Sequence, residues 1–376
     1  MNFILRYTIF KSDPYGNGAD KRTSQISELL RENNIKWEII PSGTDRDSFT
    51  LAFISKLFQT ISAFIKVLFI IRRVCDPLSM YRTTWLVSHF MGVFSVSKTK
   101  EHRAILWESP KMDFSYVVPL FHKKGYSIIS LPHNIESLVP SQRSAVTNRI
   151  SPYWLLEEIR VLKKCEHVFA ISKEETLFLK QLGVDAKYLP YYPPEEIYLN
   201  LRRIREKREK RSHLKAGRKT ILLLGSAVNP PTREGMINRI KLFNKPGNDF
   251  CDIIVAGFGT GGLGKLKSEQ GNITFTGELT NDQLSDILNE IDALLIYQPA
   301  TSGALTRIVE ALIAGVPVLA NFESARNYYG TDGVYVYNDD EQLFNYIKGS
   351  FQMPAIPVKP LSEYKDFLKT VNEYTN

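Results

Sequence analysis

The chain lacks most of the features that announce a function outright. Its 376 residues hold only three cysteines, Cys75, Cys165 and Cys251, far apart and in no C-x-x-C spacing. That excludes a disulfide framework and a structural zinc site, and reads as a reduced, cytosolic chain. The opening MNFILRYTIF has neither a basic leader nor a long apolar run, so it reads as a first strand rather than a signal peptide. There is no internal repeat and no long low-complexity tract. The basic run at 202–219 has no interleaved aromatics and no recognisable module, which argues against a nucleic-acid partner.

The most apolar stretch, LAFISKLFQTISAFIKVLFIIRR at 51–73, contains Lys56, Lys66 and several polar residues, against a transmembrane span. Leu51, Ile54, Leu57, Phe58, Ile61, Phe64, Ile65 and Leu68 recur at helical spacing, so an amphipathic helix is expected. Two readings stand: a helix packed on the first domain's sheet, or one lying on an anionic membrane with Arg72 and Arg73 at its edge.

What is present is an ordinary globular composition, 43% hydrophobic and 23% charged, at a length that suggests two domains. The formal charge of +8 favours anionic partners. Strand patterns at 3–10, 36–41, 104–109, 126–131, 167–172 and 186–192 alternate with helical patterns such as 23–34 and 154–164. The alternation restarts after the basic run with strands at 220–225, 252–257, 273–277, 293–298, 316–320 and 334–338. This order predicts α/β architecture with two doubly wound, Rossmann-like sheets. The expected boundaries are a first domain over 1–198, a basic interdomain linker or helix over 199–218, a second domain over 219–355, and a terminal helix over 356–376 returning to the first. Asn281 is the expected N-cap of the helix NDQLSDILNEI.

In open parallel sheets, ligands bind beyond the carboxyl ends of the strands. The first half offers Gly16, Gly18, Lys21 and Arg22 after its first strand, and Pro132-His133-Asn134-Ile135-Glu136 after another. The second half offers Gly225-Ser226 with Arg233, then Gly257 to Thr260, Gly277-Glu278, and Thr301 to Glu310. Glycines admit phosphate oxygens to backbone amides, and a following helix N-terminus adds a favourable dipole. Arg233 and Arg307 are placed to neutralise a diphosphate, and Glu310 to accept hydrogen bonds from ribose hydroxyls. The bland alternative for Glu310 is a solvent-facing partner of Arg307 three residues before it.

Two other motifs carry less. GFGTGG at 257–262 fits the dinucleotide pattern G-x-G-x-x-G, but the GLGKLKSEQGN around and after it is too short and polar for the crossover helix that pattern opens. Asp45-Arg46-Asp47 spells the acidic metal motif of another transferase fold but follows a loop; no metal is expected.

The segment NITFTGELTNDQLSDILNEIDALLIYQPATSGALTRIVEALIAGVPVLA resembles the donor-binding half of GT-B glycosyltransferases, especially the retaining GT4-like families. LPHNIES, AISKEETLFLKQLGVDAKYLPYYP and LLLGSAVNPPTREG follow in matching order. The resemblance implies two Rossmann-like domains facing a central cleft, the first on the acceptor side and the second binding the nucleotide sugar. It further implies transfer of a hexosyl group from that nucleotide sugar to a glycan or lipid-linked acceptor. It implies polysaccharide or glycoconjugate synthesis in the cytoplasm, peripheral on the inner face of the membrane, without a separate cofactor. It gives Glu310 the donor ribose, Arg233 and Arg307 the diphosphate, and His133 the donor sugar. Gly16 and Gly18 fall in the loop where donor and acceptor meet. Gly225, Ser226, Gly257, Gly277, Ser302, Gly303, Ala304, Leu305 and Thr306 would line the donor. The chain departs from the pattern where an E-x7-E motif would place its first glutamate, at Ser302, and where an arginine would follow the first strand of the second domain, at Ser226. These departures keep open a sugar-nucleotide epimerase or a relative that binds nucleotide without transfer. The helix at 51–73 keeps open a non-enzymatic binding protein at a membrane surface.

Overall fold

The computed structural model describes residues 3–40, 104–108, 118, 121–122, 125–139, 152–211, 218–266 and 271–375. The helix expected at 51–73, the Asp45-Arg46-Asp47 motif and residues 212–217 of the basic run lie outside these.

By their contacts the residues fall into two compact units: Met1–Asp13, Arg22–Pro190 and Pro360–Asn376 in one, Pro14–Lys21 and Tyr191–Lys359 in the other. The division after Pro190 lies a few residues before the expected boundary at 198. Pro14–Lys21, the end of the loop after the first strand and the start of the helix that follows, group with the second unit.

The first unit is built on a six-stranded sheet. Its strands are β1 (Phe3–Tyr7), β2 (Lys36–Ile39), β3 (Ala104–Glu108), β4 (Ser127–Leu131), β5 (His167–Ala170) and β6 (Ala186–Tyr188), in the order β2-β1-β3-β4-β5-β6 and all parallel. β3 and β4 read as near-continuous apolar runs because parallel strands are covered on both faces. Its helices include α1 (Gly18–Glu32), whose first turn groups with the second unit, α2 (Pro152–Leu162) and α3 (Lys173–Gln181). Arg22, offered by the sequence as a ligand group, is buried instead and donates to the carbonyls of Leu189 (2.6 Å) and Pro190 (3.1 Å). The fully buried Arg6 of β1 pairs with Glu108 of β3 at 2.6 Å, a polar exception in an apolar sheet.

The second unit repeats the plan. Here β7 (Lys219–Leu224), β8 (Cys251–Ala256), β9 (Ile273–Gly277), β10 (Ala293–Ile296), β11 (Val318–Asn321) and β12 (Val334–Tyr337) lie parallel in the order β12-β11-β10-β7-β8-β9. The chain winds one way through β7, β8 and β9, then returns to the other side of β7 at β10. The β7/β10 junction is thus the topological switch point, where a crevice opens beyond the strands. Its helices are α4 (Glu195–Lys210), α5 (Pro230–Phe243), α6 (Asn281–Glu290), α7 (Thr306–Ile313) and α8 (Asp340–Lys348); α9 (Leu361–Thr375) falls in the first unit. The N-cap of α6 is Thr280, one residue before the expected Asn281: its hydroxyl accepts from the Gln283 amide and Gln283 answers in a capping box. Among the described residues after Gly257 the chain forms a 3-10 turn, Thr260–Leu266, and no α-helix before β9.

The basic run is not a linker over its described part. Ile197, Leu201 and Ile204 bury one face of α4, and its arginines cap other helices. Arg208 donates to the carbonyls of Leu288, Ile291 (2.8 Å) and Gly315 (3.1 Å), and Arg205 to Leu312 (3.3 Å) and Pro354 (2.7 Å). The last carbonyls of a helix have no partner within it and carry its negative dipole end, so cations belong there. Among the described residues no helix is long and apolar enough to cross a membrane.

Candidate functional site

The candidate site is assembled where β7, β8 and β9 end. Gly225, Gly257 and Gly277 follow or close these strands and are laced together by backbone bonds. The Gly225 amide donates to Ala256 (3.1 Å), Gly257 to Gly277 (2.7 Å), and Ala227 to Phe258 (2.8 Å). A side chain on Gly257, at φ +119°, would collide with the Gly225 carbonyl, so only glycine allows this approach.

A methyl group on Gly225 would collide with Nη1 of Arg307 and with Thr232. The guanidinium of Arg307, from the first turn of α7, therefore lies directly on the glycine at the switch point. Its Nε is buried, and the side chain has no hydrogen bond or ion pair to any described residue. Burial pushes this guanidinium down to about 10, and the charge of Arg326 adds to the shift. It stays charged at neutral pH. A largely buried cation with no carboxylate partner costs stability, and no carboxylate among the described residues meets Arg307, which suits the group to an anionic ligand.

Around it the loop 302–305 is held by a second arginine. Arg326 donates from Nε to Gly303 (2.7 Å) and from Nη2 to the carbonyl of Ser302 (3.0 Å), while the Tyr328 hydroxyl donates to Leu305 (3.3 Å). α7 begins at Thr306 with Leu305 in the N-cap position and no side-chain cap, leaving its dipole end open. The helix after β7 differs. Pro230 and Pro231 remove the first two amide donors of α5, and Asn229 takes the Thr232 amide. The expected amide cradle at α5 is thus reduced to its dipole, and Arg233 stands exposed in its first turn.

Glu310 is neither solvent-facing nor paired with Arg307. Its Oε2 accepts from Lys21 Nζ at 2.6 Å and its Oε1 from the Tyr191 hydroxyl at 2.7 Å. Gly18 lies beside Thr306: a methyl there would approach the Thr306 hydroxyl at 3.6 Å. Gly16 closes the turn before α1, where Asp20 leaves no room for a side chain. The sequence offers Lys21 among the strand-end groups without a sign of its partner, and nothing in its spacing singles out Tyr191 or Arg326. Ala304 is partly exposed in the same loop, and Ser226 follows Gly225.

His133 belongs to the first unit. It follows β4, is 7% exposed, and stacks on Phe10 with ring centroids 5.3 Å apart. Two buried carboxylates hold its loop. Glu175 accepts from the Ile135 amide (3.0 Å), and Glu158 from the amides of Glu136 and Ser137 (2.9 Å each). Burial pushes Glu158 up to about 7, against the pull of the Ser137 hydrogen bonds. Among the described residues no group of three His, Cys, Asp or Glu is placed to hold a metal ion.

No protein-family model and no curated protein matches the sequence. Solved structures do match. Sucrose-phosphate synthase from Thermosynechococcus elongatus superposes with a TM-score of 0.59 at 13% identity, over 100% of this chain and 95% of that one. The fold is GT-B. HepE of Anabaena, solved with UDP, with UDP and glucose, and with UDP-glucose, matches at a TM-score of 0.54 and 13% identity, covering 100% and 96% of the two chains. WaaG, a glycosyltransferase involved in lipopolysaccharide biosynthesis, matches at 0.54 and 12% identity, covering 99% and 95%. Within the GT-B frame, the two six-stranded sheets are the two Rossmann-like domains, and the Arg307 site lies at the switch point of the second.

Proposed function

We propose that this protein is a glycosyltransferase that takes a hexosyl group from a nucleotide-diphosphate donor and passes it, with retention, to a glycan or lipid-linked acceptor. The observation that carries the reading is Arg307: a cation with a buried Nε and no carboxylate partner among the described residues, set on Gly225 at the switch point. Such a group suits the diphosphate that departs when the anomeric C–O bond breaks. Charge develops on that leaving group, and a fixed guanidinium with the open end of α7 stabilises it without reorganisation. Arg233, exposed in the first turn of the helix that follows Gly225, would meet the outer phosphate oxygens.

In this reading Glu310 holds the ribose, Lys21 and Tyr191 hold Glu310, and the amides of 303–306 meet the donor. His133, kept in place by Phe10, Glu158 and Glu175, serves the donor sugar. The departing phosphate takes the acceptor's proton, and neither a protein nucleophile nor a cofactor is invoked. The UDP and UDP-glucose bound by HepE, a protein of the same fold, make uridine nucleotides the first to test. The proposed setting is the cytoplasmic face of a membrane in polysaccharide or glycoconjugate synthesis, with 51–73 as the surface contact; liposome flotation tests that contact.

Calorimetric titration with UDP, GDP and dTDP, repeated on Glu310→Ala, tests the donor site. Micromolar binding of one nucleotide, weakened in the variant, is the expected result; binding of none overturns the reading. A second reading has one observation in its favour. Ser302 brings no carboxylate, and Arg326 holds its carbonyl. This suits a protein that binds a nucleotide sugar and epimerises it or keeps it intact. Proton NMR of the bound nucleotide sugar separates the two: transfer releases the nucleotide in the presence of acceptor, epimerisation does not.

A further inference from the structure

We infer that the loop after β11 is a landing platform for a pyranose ring of the acceptor glycan, an inference that rests on the transferase reading above. Phe322 and Tyr329 stack on each other with ring centroids 5.0 Å apart and planes at 29°, and the two residues are 55% and 43% exposed. The pair forms a small exposed apolar surface of a size that one sugar ring would cover.

The pair is not a floppy loop tip. The Tyr329 hydroxyl donates to the Phe322 carbonyl at 2.7 Å, and the chain between them is tied down on its inner side. Asn321 donates to the Gln298 carbonyl (2.8 Å) and accepts from the Gln298 amide (3.1 Å), and Ser324 is fully buried against Asn321. Arg326 and Tyr328 then bind the carbonyls of Ser302, Gly303 and Leu305. The rings therefore stand on a scaffold shared with the Arg307 loop, and binding there orders little that is not already ordered.

The polar surroundings fit a sugar better than a protein helix or a lipid. The exposed Glu323 lies next to Phe322 in the chain, its carboxylate oriented by Asn321 Nδ2 at 2.5 Å. A pyranose presents C–H groups on one face and hydroxyl donors at its rim. The rings match the first through weak C–H contacts and buried apolar area, and an ionised carboxylate accepts from the second. The position points to the acceptor. β11 lies two strands from β7, on the side away from β8 and β9, so the platform is separated from the glycine cradle by about 10 Å of sheet.

Saturation-transfer difference NMR with methyl α-D-glucopyranoside, methyl α-D-mannopyranoside, methyl β-D-galactopyranoside and maltotriose tests this on the full chain. At least one probe is expected to show saturation of its ring C–H protons, reduced fivefold or more in Phe322→Ala. Tyr329→Phe, which keeps the ring and removes its tie to Phe322, is expected to reduce it less. Circular dichroism and Tm check that both variants fold. Persistence of the signal with UDP-glucose present supports the acceptor assignment, whereas its displacement assigns the platform to the donor sugar and overturns it. No signal from any probe, or a signal indifferent to Phe322→Ala, also overturns it. The nucleotide titration of the unaltered protein stands apart: binding of UDP without a sugar signal removes the platform alone. A Phe322-dependent sugar signal without nucleotide binding removes the donor reading and with it the acceptor assignment, leaving a sugar-binding surface.

Discussion

The Arg307 guanidinium lies on the Cα of Gly225, in the space where any other residue would place its Cβ. The contact joins the first turn of α7 to the end of β7 and puts a positive charge at the switch point of a parallel sheet. A glycine suits the position because any side chain there would meet both Nη1 of Arg307 and the Thr232 methyl, on a backbone at φ +157° that other residues rarely adopt.

Arg307→Met separates stability from binding. Removing a largely buried, unpaired charge while keeping the apolar stem should leave Tm unchanged or raise it by roughly 2–4 °C, about 1 kcal/mol. Affinity for the nucleoside diphosphate that binds the unaltered protein should fall at least a hundredfold. Differential scanning calorimetry and isothermal titration read the two effects.

Gly225→Ala should lower stability and binding together. Forcing a methyl against Nη1 of Arg307 and the Thr232 methyl is overpacking, expected to cost about 1–3 kcal/mol, and it displaces the guanidinium from its anion. Gly261→Ala is the control, since nothing lies within 4 Å of the added carbon. Its change in stability should stay within about 0.5 kcal/mol by urea denaturation.

Glu310→Ala takes from Lys21 and Tyr191 the acceptor they share, and should weaken nucleotide binding at least tenfold. Glu310→Gln keeps an oxygen for one neighbour but loses the charge that holds Lys21. It should fall between the alanine variant and the unaltered protein when all three are titrated with the same nucleotide.

Glu158 supplies a pH dependence. Its folded value, about 7, lies above the ordinary carboxylate value of 4.5 because burial disfavours the charged form. Between these values the folded protein binds more protons than the unfolded chain. This group's contribution to stability therefore declines as pH rises through the window and levels off above about 7. Measured against Glu158→Gln, the Tm advantage of the unaltered protein should shrink from pH 5 to pH 8, by the equivalent of at most about 3 kcal/mol. An advantage that grows over that range would contradict the assignment.

Strand periodicity makes most of both sheets legible in the chain itself. All twelve described strands coincide with runs expected from the sequence, with ends that differ by a few residues, because buried parallel strands leave a continuous apolar signature. Gly225, Gly257 and Gly277 stand out for the same reason: they sit where those runs stop. The basic run misleads, because arginines that cap helix carbonyls have the composition of a solvated linker; only the partners of Arg205 and Arg208 reveal their job. Arg22 misleads in the opposite direction, a strand-end cation whose charge is consumed by the carbonyls of Leu189 and Pro190.

By itself the sequence determined the alternation of strands and helices, the two sheets, and the short loops whose glycines and charges await a ligand. These are local properties, written in spacing and side-chain type. The tertiary structure alone decided which charge is satisfied. Glu310, one turn from Arg307 on the same helix, is claimed by Lys21, 289 positions away, and by Tyr191, leaving Arg307 without a carboxylate among the described residues. Pairing of charges depends on distance in space and on the water excluded around them, and neither is encoded in spacing along the chain.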